Sequence, residues 1–309
     1  MVQKDFMNQP IIMIVGPTGI GKTELSIKLA KEYNGEIINA DASQLRKELN
    51  IGTAKVDWKN QGVPHHLFDI VGPVAPFSVA IYQKLARDKI KDINTNGKIP
   101  FLVGGSGLYI NAVIGNYNFQ IPQRNENFSV KYDKLSNEEL YEKLLVLDPL
   151  AIKNIHINNR RRVLRAIEMA TFGYPISKNN LGKDIGYYVL IINLECDREV
   201  LYDRINERTE KMFALGWCNE VQDLINKGYN PEGIKEIGYK EIYWYLSGKS
   251  NLVQTKDLIK QKTRRYAKRQ LTWFRHQIKA EQLYVDFNNY ERTINSARKM
   301  IDTFITKKT

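Results

Sequence analysis

The chain has 309 residues, 43% hydrophobic and 10% aromatic, which supplies one large or two modest cores and excludes a generally disordered chain. Lys and Arg number 46 against 34 Asp and Glu, leaving +12 and a pI near 9.4, so an anionic partner is expected. Two cysteines, Cys196 and Cys218, with no CxxC pair and no Cys/His spacing suited to zinc, exclude a disulfide framework and a zinc module.

Residues 11–15 form a short β-branched run ending in glycine, the pattern of a buried strand. Residues 22–33 follow with Leu25, Leu29, Ala30 and Tyr33 on one helical face. A second strand is predicted over 36–39, ending before Asp41, a helix over 79–93, and a third strand over 101–103 that ends at Gly104-Gly105. Apolar strands alternating with helices predict an α/β core with a mostly parallel open sheet.

The pattern changes from about residue 117. Residues 117–129 read as polar and irregular, and helices are predicted over 136–147 and 160–171. The strand pattern resumes at 187–194, one long basic helix spans 255–280, a strand-like piece covers 283–287, and the last few residues read as frayed. The economical organisation is a core of residues 1–117 and 185–309, interrupted by a helical insertion over 118–184. Nine of the twelve surplus positive charges lie beyond residue 120. Residues 1–10 contain no long apolar stretch, and the longest apolar runs fall short of the ~20 residues that span a bilayer. The expectation is therefore a cytoplasmic protein with no membrane segment.

Gly16-Pro17-Thr18-Gly19-Ile20-Gly21-Lys22-Thr23 fits GxxxxGK[ST], directly after a strand and directly before a helix. In such a loop, successive backbone N–H groups face phosphate oxygens and the helix N-terminus adds partial positive charge. Lys22 would neutralise the far phosphate, and the Thr23 hydroxyl would hold Mg²⁺. The loop specifies a diphosphate or triphosphate and does not by itself specify ATP.

Asp41 falls just past the carboxyl end of the second strand, the edge at which open α/β sheets bind ligands. Position alone leaves it either a reactive carboxylate or a helix N-cap. His65-His66 is a poor metal pair, because adjacent side chains diverge and no third ligand is evident.

Several segments, taken together and in order, resemble the bacterial tRNA dimethylallyltransferases. They are the phosphate loop, Asp41-Ala42-Ser43-Gln44, Ile51-Gly-Thr-Ala-Lys55, Gly62-Val-Pro-His-His-Leu67 and Val103-Gly-Gly-Ser-Gly-Leu-Tyr109. Further along come His156-Ile-Asn158 with Arg162, Arg165, Ala166 and Glu168, then Thr171-Phe-Gly-Tyr-Pro175, Ile237-Gly-Tyr-Lys240, and Tyr266-Ala-Lys-Arg-Gln270 with Trp273-Phe-Arg275. The resemblance implies a P-loop NTPase-like core and transfer of a dimethylallyl group from its diphosphate to N6 of adenosine 37, beside the tRNA anticodon.

It also implies roles. Asp41 would deprotonate the attacking amine; Lys22, Thr23 with Mg²⁺, and Arg208 would meet the charge of the leaving pyrophosphate; Ser106 would bond near the reacting atoms. The loop would then hold a prenyl diphosphate in place of ATP. Asp41, Ala42, Ser43 and Gln44 would contact the flipped base, and Arg161, Arg162, Val163, Leu164 and Arg165 the anticodon stem-loop. The cluster Arg160-Arg-Arg162 with Arg165 reads as a phosphate grip. Taken alone, Arg208 also reads as part of a solvated helix face, and Tyr266, Trp273 and Phe274 read as either core or RNA-facing. The sequence departs from the family pattern at Arg46, often tyrosine, Asn159, often aspartate, and Ile157, often proline. A monomer is the default expectation. The rival readings are a P-loop small-molecule or nucleotide kinase and a non-catalytic RNA-binding protein with a relic loop.

Overall fold

The computed structural model describes residues 9–115, 126–178 and 187–307. The chain forms two compact units, one from residues up to Val113 and from Gly186 onward, the other Ile114–Ile185. The expected boundaries at 117/118 and 184/185 lie outside the described residues.

The larger unit is built on six parallel strands: β1 (Ile11–Val15), β2 (Gly35–Asn39), β3 (His65–His66), β4 (Ile99–Gly104), β5 (Val189–Glu195) and β6 (Glu281–Tyr284). Their order is β3-β2-β4-β1-β5-β6. β1 is central and buried along its whole length, as a parallel strand covered on both faces requires. The order sets the carboxyl ends of β2, β4 and β1 side by side. The Asp41 turn, the Gly105-Ser106 loop and the phosphate loop therefore line one sheet edge, where such folds bind ligands.

Helices α1 (Lys22–Glu32), α2 (Val79–Thr95) and α3 (Gly107–Ile114) follow β1, β3 and β4. After β5 come α7 (Arg198–Ala214), α8 (Trp217–Asn226), α9 (Tyr239–Leu246) and α10 (Leu252–Gln277), with α11 (Tyr290–Thr306) closing the chain. The long basic helix is thus present as α10. The closing helix α11 is not among the predicted elements, although Ile294, Ala297 and Ile301 are fully buried against the sheet core. The last strand is shorter than expected. Beyond Val285 the chain turns at Asp286, whose Oδ1 accepts the Asn288 and Asn289 amides at 3.0 Å, and Phe287 instead stacks beneath Arg204, 3.8 Å from its guanidinium.

The smaller unit holds α4 (Glu126–Val130), α5 (Asn137–Leu147) and α6 (Arg160–Thr171). The helix Glu126–Val130 overlaps the end of the segment expected to be irregular, 117–129, because Phe128 packs against Tyr132 and the local core. Ser136 and Glu139 form a reciprocal capping box at the start of α5. Leu140, Leu144, Val163, Leu164, Ala166 and Ile167 make its core.

Candidate active site

The phosphate loop wraps because Gly19 and Gly21 take left-handed φ of 86° and 98°, a conformation that disfavours side chains. Lys22 is part-buried, and its Nζ donates to the Gly16 and Pro17 carbonyls at 2.9 and 2.7 Å. Burial pulls its pKa down to about 8, with Arg208 adding to the fall and Asp41 opposing it. Thr23 lines the cavity over the loop. Pro17 has no N–H to offer a phosphate, and Ile20 points its side chain into the core, so these two shape the loop.

Arg208 projects from α7 and is part-buried, its Nη2 donating to Thr18 Oγ1 at 2.7 Å. The solvated-face reading of this arginine is therefore wrong. Burial lowers its pKa and the nearby Asp41 carboxylate raises it. Arg204, one turn earlier, donates Nε to the Gly19 carbonyl at 3.1 Å. Lys22, Arg204 and Arg208 against the carboxylates of Glu24 and Asp41 leave a positive surplus suited to a diphosphate.

Asp41 is no N-cap. No helix follows it; its Oδ1 accepts the Ser43 amide at 3.0 Å in an Asx turn. Buried Asn39 fixes that turn, accepting the Asp41 amide at 2.8 Å and donating to the Asp41 and Leu67 carbonyls at 3.1 and 3.0 Å. Ser106 ties the neighbouring loop to it: its Oγ accepts the Ala42 amide at 3.0 Å, and its amide donates to the Ala40 carbonyl at 3.2 Å. Gln44 donates to the Thr53 and Ala54 carbonyls, joining the turn to the Ile51–Lys55 segment.

Two cavities meet here. The first is lined by Lys22, Thr23, Arg204 and Arg208 and by the apolar Ile37, Val56, Phe68 and Val103, with Gln44 and His65 also in its wall. The second is lined by Ser43, Met212, Trp217, Lys235, Glu236, Tyr266 and Arg269. Asp41, Thr18, Thr53 and Arg208 belong to both walls.

Several residues that shape the site are assigned no place in it from the sequence, or are left open there. Gln270 takes the Thr18 amide on Oε1 and donates Nε2 to the Gly105 carbonyl, both at 2.9 Å. Tyr266, one helical turn before it, lies beside Ser106 and faces the second cavity; burial and Asp41 both raise its pKa. Of the three aromatics left open, Phe274 is core and Tyr266 belongs to the site. Glu220 on α8 accepts the Asn50, Ile51 and Gly52 amides at 2.9, 2.7 and 3.2 Å and the Tyr239 hydroxyl at 2.7 Å, so the Ile51–Lys55 segment is clasped by one carboxylate. Gly52 must be glycine, because a Cβ there would run into the Trp217 indole. The Tyr266–Gln270 motif was the available signal for the first two; Glu220 had none.

His65 and His66 are β3 itself. His66 Nε2 pairs with Glu36 at 2.6 Å, which Lys98 also contacts at 2.7 Å, and His65 Nδ1 bonds the Val63 carbonyl at 2.7 Å. Among the described residues no group of three His, Cys, Asp or Glu could hold a metal ion. No helix among them is long and apolar enough to cross a membrane.

In the smaller unit the arginine cluster divides. Arg160 donates to the Leu135 and Tyr132 carbonyls at 2.7 and 2.8 Å, and Arg165 pairs with buried Glu168 at 2.6 Å. Arg161 and Arg162 are exposed. Val163 and Leu164 are core, 1% and 7% exposed, so their side chains cannot reach a partner from this surface. Asn159 caps α6 by accepting the Arg162 amide at 3.3 Å, a task that asparagine and aspartate share.

A profile of the IPP transferase family matches residues 44–277. The tRNA dimethylallyltransferase of Oceanobacillus iheyensis is 44% identical over 284 residues, covering 89% of this chain and 91% of that protein. That of Bacillus velezensis is 46% identical over 279 residues, covering 87% and 89%. Among solved structures, the full-length tRNA isopentenylpyrophosphate transferase of Bacillus halodurans superposes with a TM-score of 0.73 at 39% identity over 97% of each chain. A eukaryotic dimethylallyltransferase acting on tRNA gives a TM-score of 0.82 at 27% identity, over 97% of this chain and 80% of that one.

Proposed function

The chain belongs to the IPP transferase family, and from that premise we propose that it transfers a dimethylallyl group from dimethylallyl diphosphate to N6 of adenosine 37 in tRNA, releasing pyrophosphate. The observation that carries the reading is the shared wall. Asp41 borders a cavity whose wall combines phosphate-loop and arginine cations with apolar side chains, and also borders a second cavity lined by Ser43, Tyr266 and Arg269. A prenyl diphosphate suits that combination, and a base entering the second cavity would meet it at Asp41.

The adenine N6 lone pair is delocalised into the ring, so the amine needs a base. Asp41 accepts the N6 proton as nitrogen bonds to C1 of the allyl group and the C1–oxygen bond breaks, its electron pair leaving with pyrophosphate. Glycine amides of the loop, Lys22 and Arg208 are donors fixed in place before that charge develops. Lys22, now spent on two loop carbonyls, turns to the diphosphate when it binds. Ser106 and Tyr266, beside the Asp41 turn, hold the acceptor side. A divalent cation suits the site through the Thr23 hydroxyl and diphosphate oxygens, the usual arrangement for Mg²⁺, which seldom needs an all-protein cage. When bound it would screen the leaving charge.

The smaller unit, with Arg161 and Arg162 exposed, supplies phosphate contacts to the anticodon stem-loop. The protein acts in the cytoplasm, as a monomer. The relatives transfer to tRNA, and the kinase alternative is set aside. Incubation with labelled dimethylallyl diphosphate, Mg²⁺ and unmodified tRNA tests the reading: label should enter the RNA, and ATP turnover without labelled RNA would overturn it.

A further inference from the structure

Arg46 stands two residues beyond Gln44, at a position where the family often has tyrosine. Its guanidinium is committed to four acceptors: Glu236 Oε1 at 2.9 Å through Nε, and the Gly72, Pro73 and Ala75 carbonyls at 2.9, 3.1 and 3.0 Å through Nη1. Both side chains of the ion pair are enclosed, 15% and 11% exposed.

Glu236 is one of the residues lining the second cavity, together with Asp41, Ser43 and Tyr266. Its other oxygen, Oε2, is buried and has no hydrogen-bond partner among the described residues. The Lys235 and Glu236 amides lie close to the carboxylate without reaching hydrogen-bond geometry at Oε2. Burial raises the pKa of Glu236 even against the opposing charge of Arg46. An enclosed acceptor with no donor carries its full desolvation cost. Binding sites bear that cost where the missing donor arrives with the ligand, and they reject ligands that lack it.

Phosphates bring no donor; nucleobase amino groups do, and a glutamate accepting from such a group is a known reading contact. We infer that Glu236 is a specificity-determining residue whose Oε2 accepts a hydrogen bond from the exocyclic amino group of a nucleobase adjoining the acceptor adenosine. The inference rests on the second cavity being the RNA side of the transferase. Arg46 is the positioning residue that aims the carboxylate and occupies its other oxygen.

The test uses the full-length protein and anticodon stem-loop RNAs in which each neighbour of the acceptor is, in turn, adenosine or purine riboside, the same ring without the amino group. The wild type should lose at least about ten-fold in kcat/KM at one of the two positions when the amino group is removed. Glu236→Gln keeps an oxygen for Arg46 but presents an amide NH₂ in place of Oε2, and should abolish or invert that preference. A wild type that transfers to all RNAs with no preference at either position overturns the inference, as does full retention of the preference in both Glu236→Gln and Glu236→Ala. A wild type that transfers to none overturns the transferase reading, and the inference with it. Dimethylallyl diphosphate binding in the first cavity reports folding of each variant independently of RNA.

Discussion

Gln270 Oε1 accepts the backbone amide of Thr18 at 2.9 Å, across 252 residues of chain. The same side chain donates to the Gly105 carbonyl, so one buried amide sets the spacing between the phosphate loop and the loop that carries Ser106. Gln270→Ala leaves both backbone groups without that partner, at about 1–3 kcal/mol each where water cannot replace it. The expected result is a kcat lowered about 10- to 100-fold, because misplacement of the two loops acts on the reacting geometry. Gln270→Glu can still accept from Thr18 but cannot donate to Gly105, and should recover part of the loss. Steady-state kinetics of the three proteins decide it; an unchanged kcat in the alanine variant would refute the bracing role.

Lys22 offers a pH test. Its pKa falls from 10.5 to about 8 in the folded protein, chiefly through burial. Below about pH 8 the lysine is charged in both folded and unfolded chains, and its burial costs roughly 3 kcal/mol. The cost fades as pH rises from about 8 to 10.5. Lys22→Met should therefore melt higher than the wild type at pH 7, with the difference shrinking across that window. Diphosphate affinity should move the other way. Above about pH 8 the wild type must take up a proton to bind, so affinity should fall by up to ten-fold per pH unit, while the methionine variant binds weakly with no such slope. Calorimetric titrations from pH 7 to pH 10 would show both, and parallel profiles in the two proteins would contradict the assignment.

For Asp41, the informative change is to asparagine. The Asx turn needs only an oxygen to accept the Ser43 amide, which asparagine retains. Base strength is what disappears. Asp41→Asn should lower kcat by about 10²–10⁴-fold, the usual span for a general base, and leave RNA affinity within about two-fold. Asp41→Ala should lose the turn as well, with weaker RNA binding. Near-normal transfer by the asparagine variant would remove Asp41 from the base role.

The phosphate loop and Asp41 were legible because their information is local: a strand, a glycine turn and a helix start within a dozen residues, and a carboxylate at a strand end. The strands and most long helices were legible for the same reason, through period and burial. What sequence could not supply is who partners whom across the chain. Arg208 reads as a surface arginine until α7 packs it beneath Thr18. Glu220 reads as an ordinary helix glutamate until its carboxylate collects three amides from the Asn50–Gly52 turn. Tyr266 and Phe274 share helical spacing, and only tertiary packing sends one to the site and the other to the core. The arginine cluster of α6 read as one surface for the same reason, since four cations on a helix look alike until their acceptors are known.

That cluster yields the last prediction, because its members should fail in different ways. Arg161 and Arg162 are exposed and should act on RNA phosphates. Replacing each with alanine should weaken tRNA binding and reduce the slope of log K against log salt by just under one unit, about 0.7–0.9 for each phosphate no longer neutralised. Stability should barely change. Arg160 instead clamps the Tyr132 and Leu135 carbonyls, and Arg165 is an ion-pair partner of Glu168, which is only 2% exposed. Alanine at either position should destabilise the smaller unit by roughly 1–3 kcal/mol, since buried acceptors lose a charged donor. Any loss of tRNA affinity there should follow the population of folded protein and leave the salt slope intact. Salt titrations of tRNA binding, paired with denaturant melts, separate the two classes. A full salt slope for Arg161→Ala and Arg162→Ala would place the RNA contact elsewhere, on a face such as that of Lys235 and Arg269.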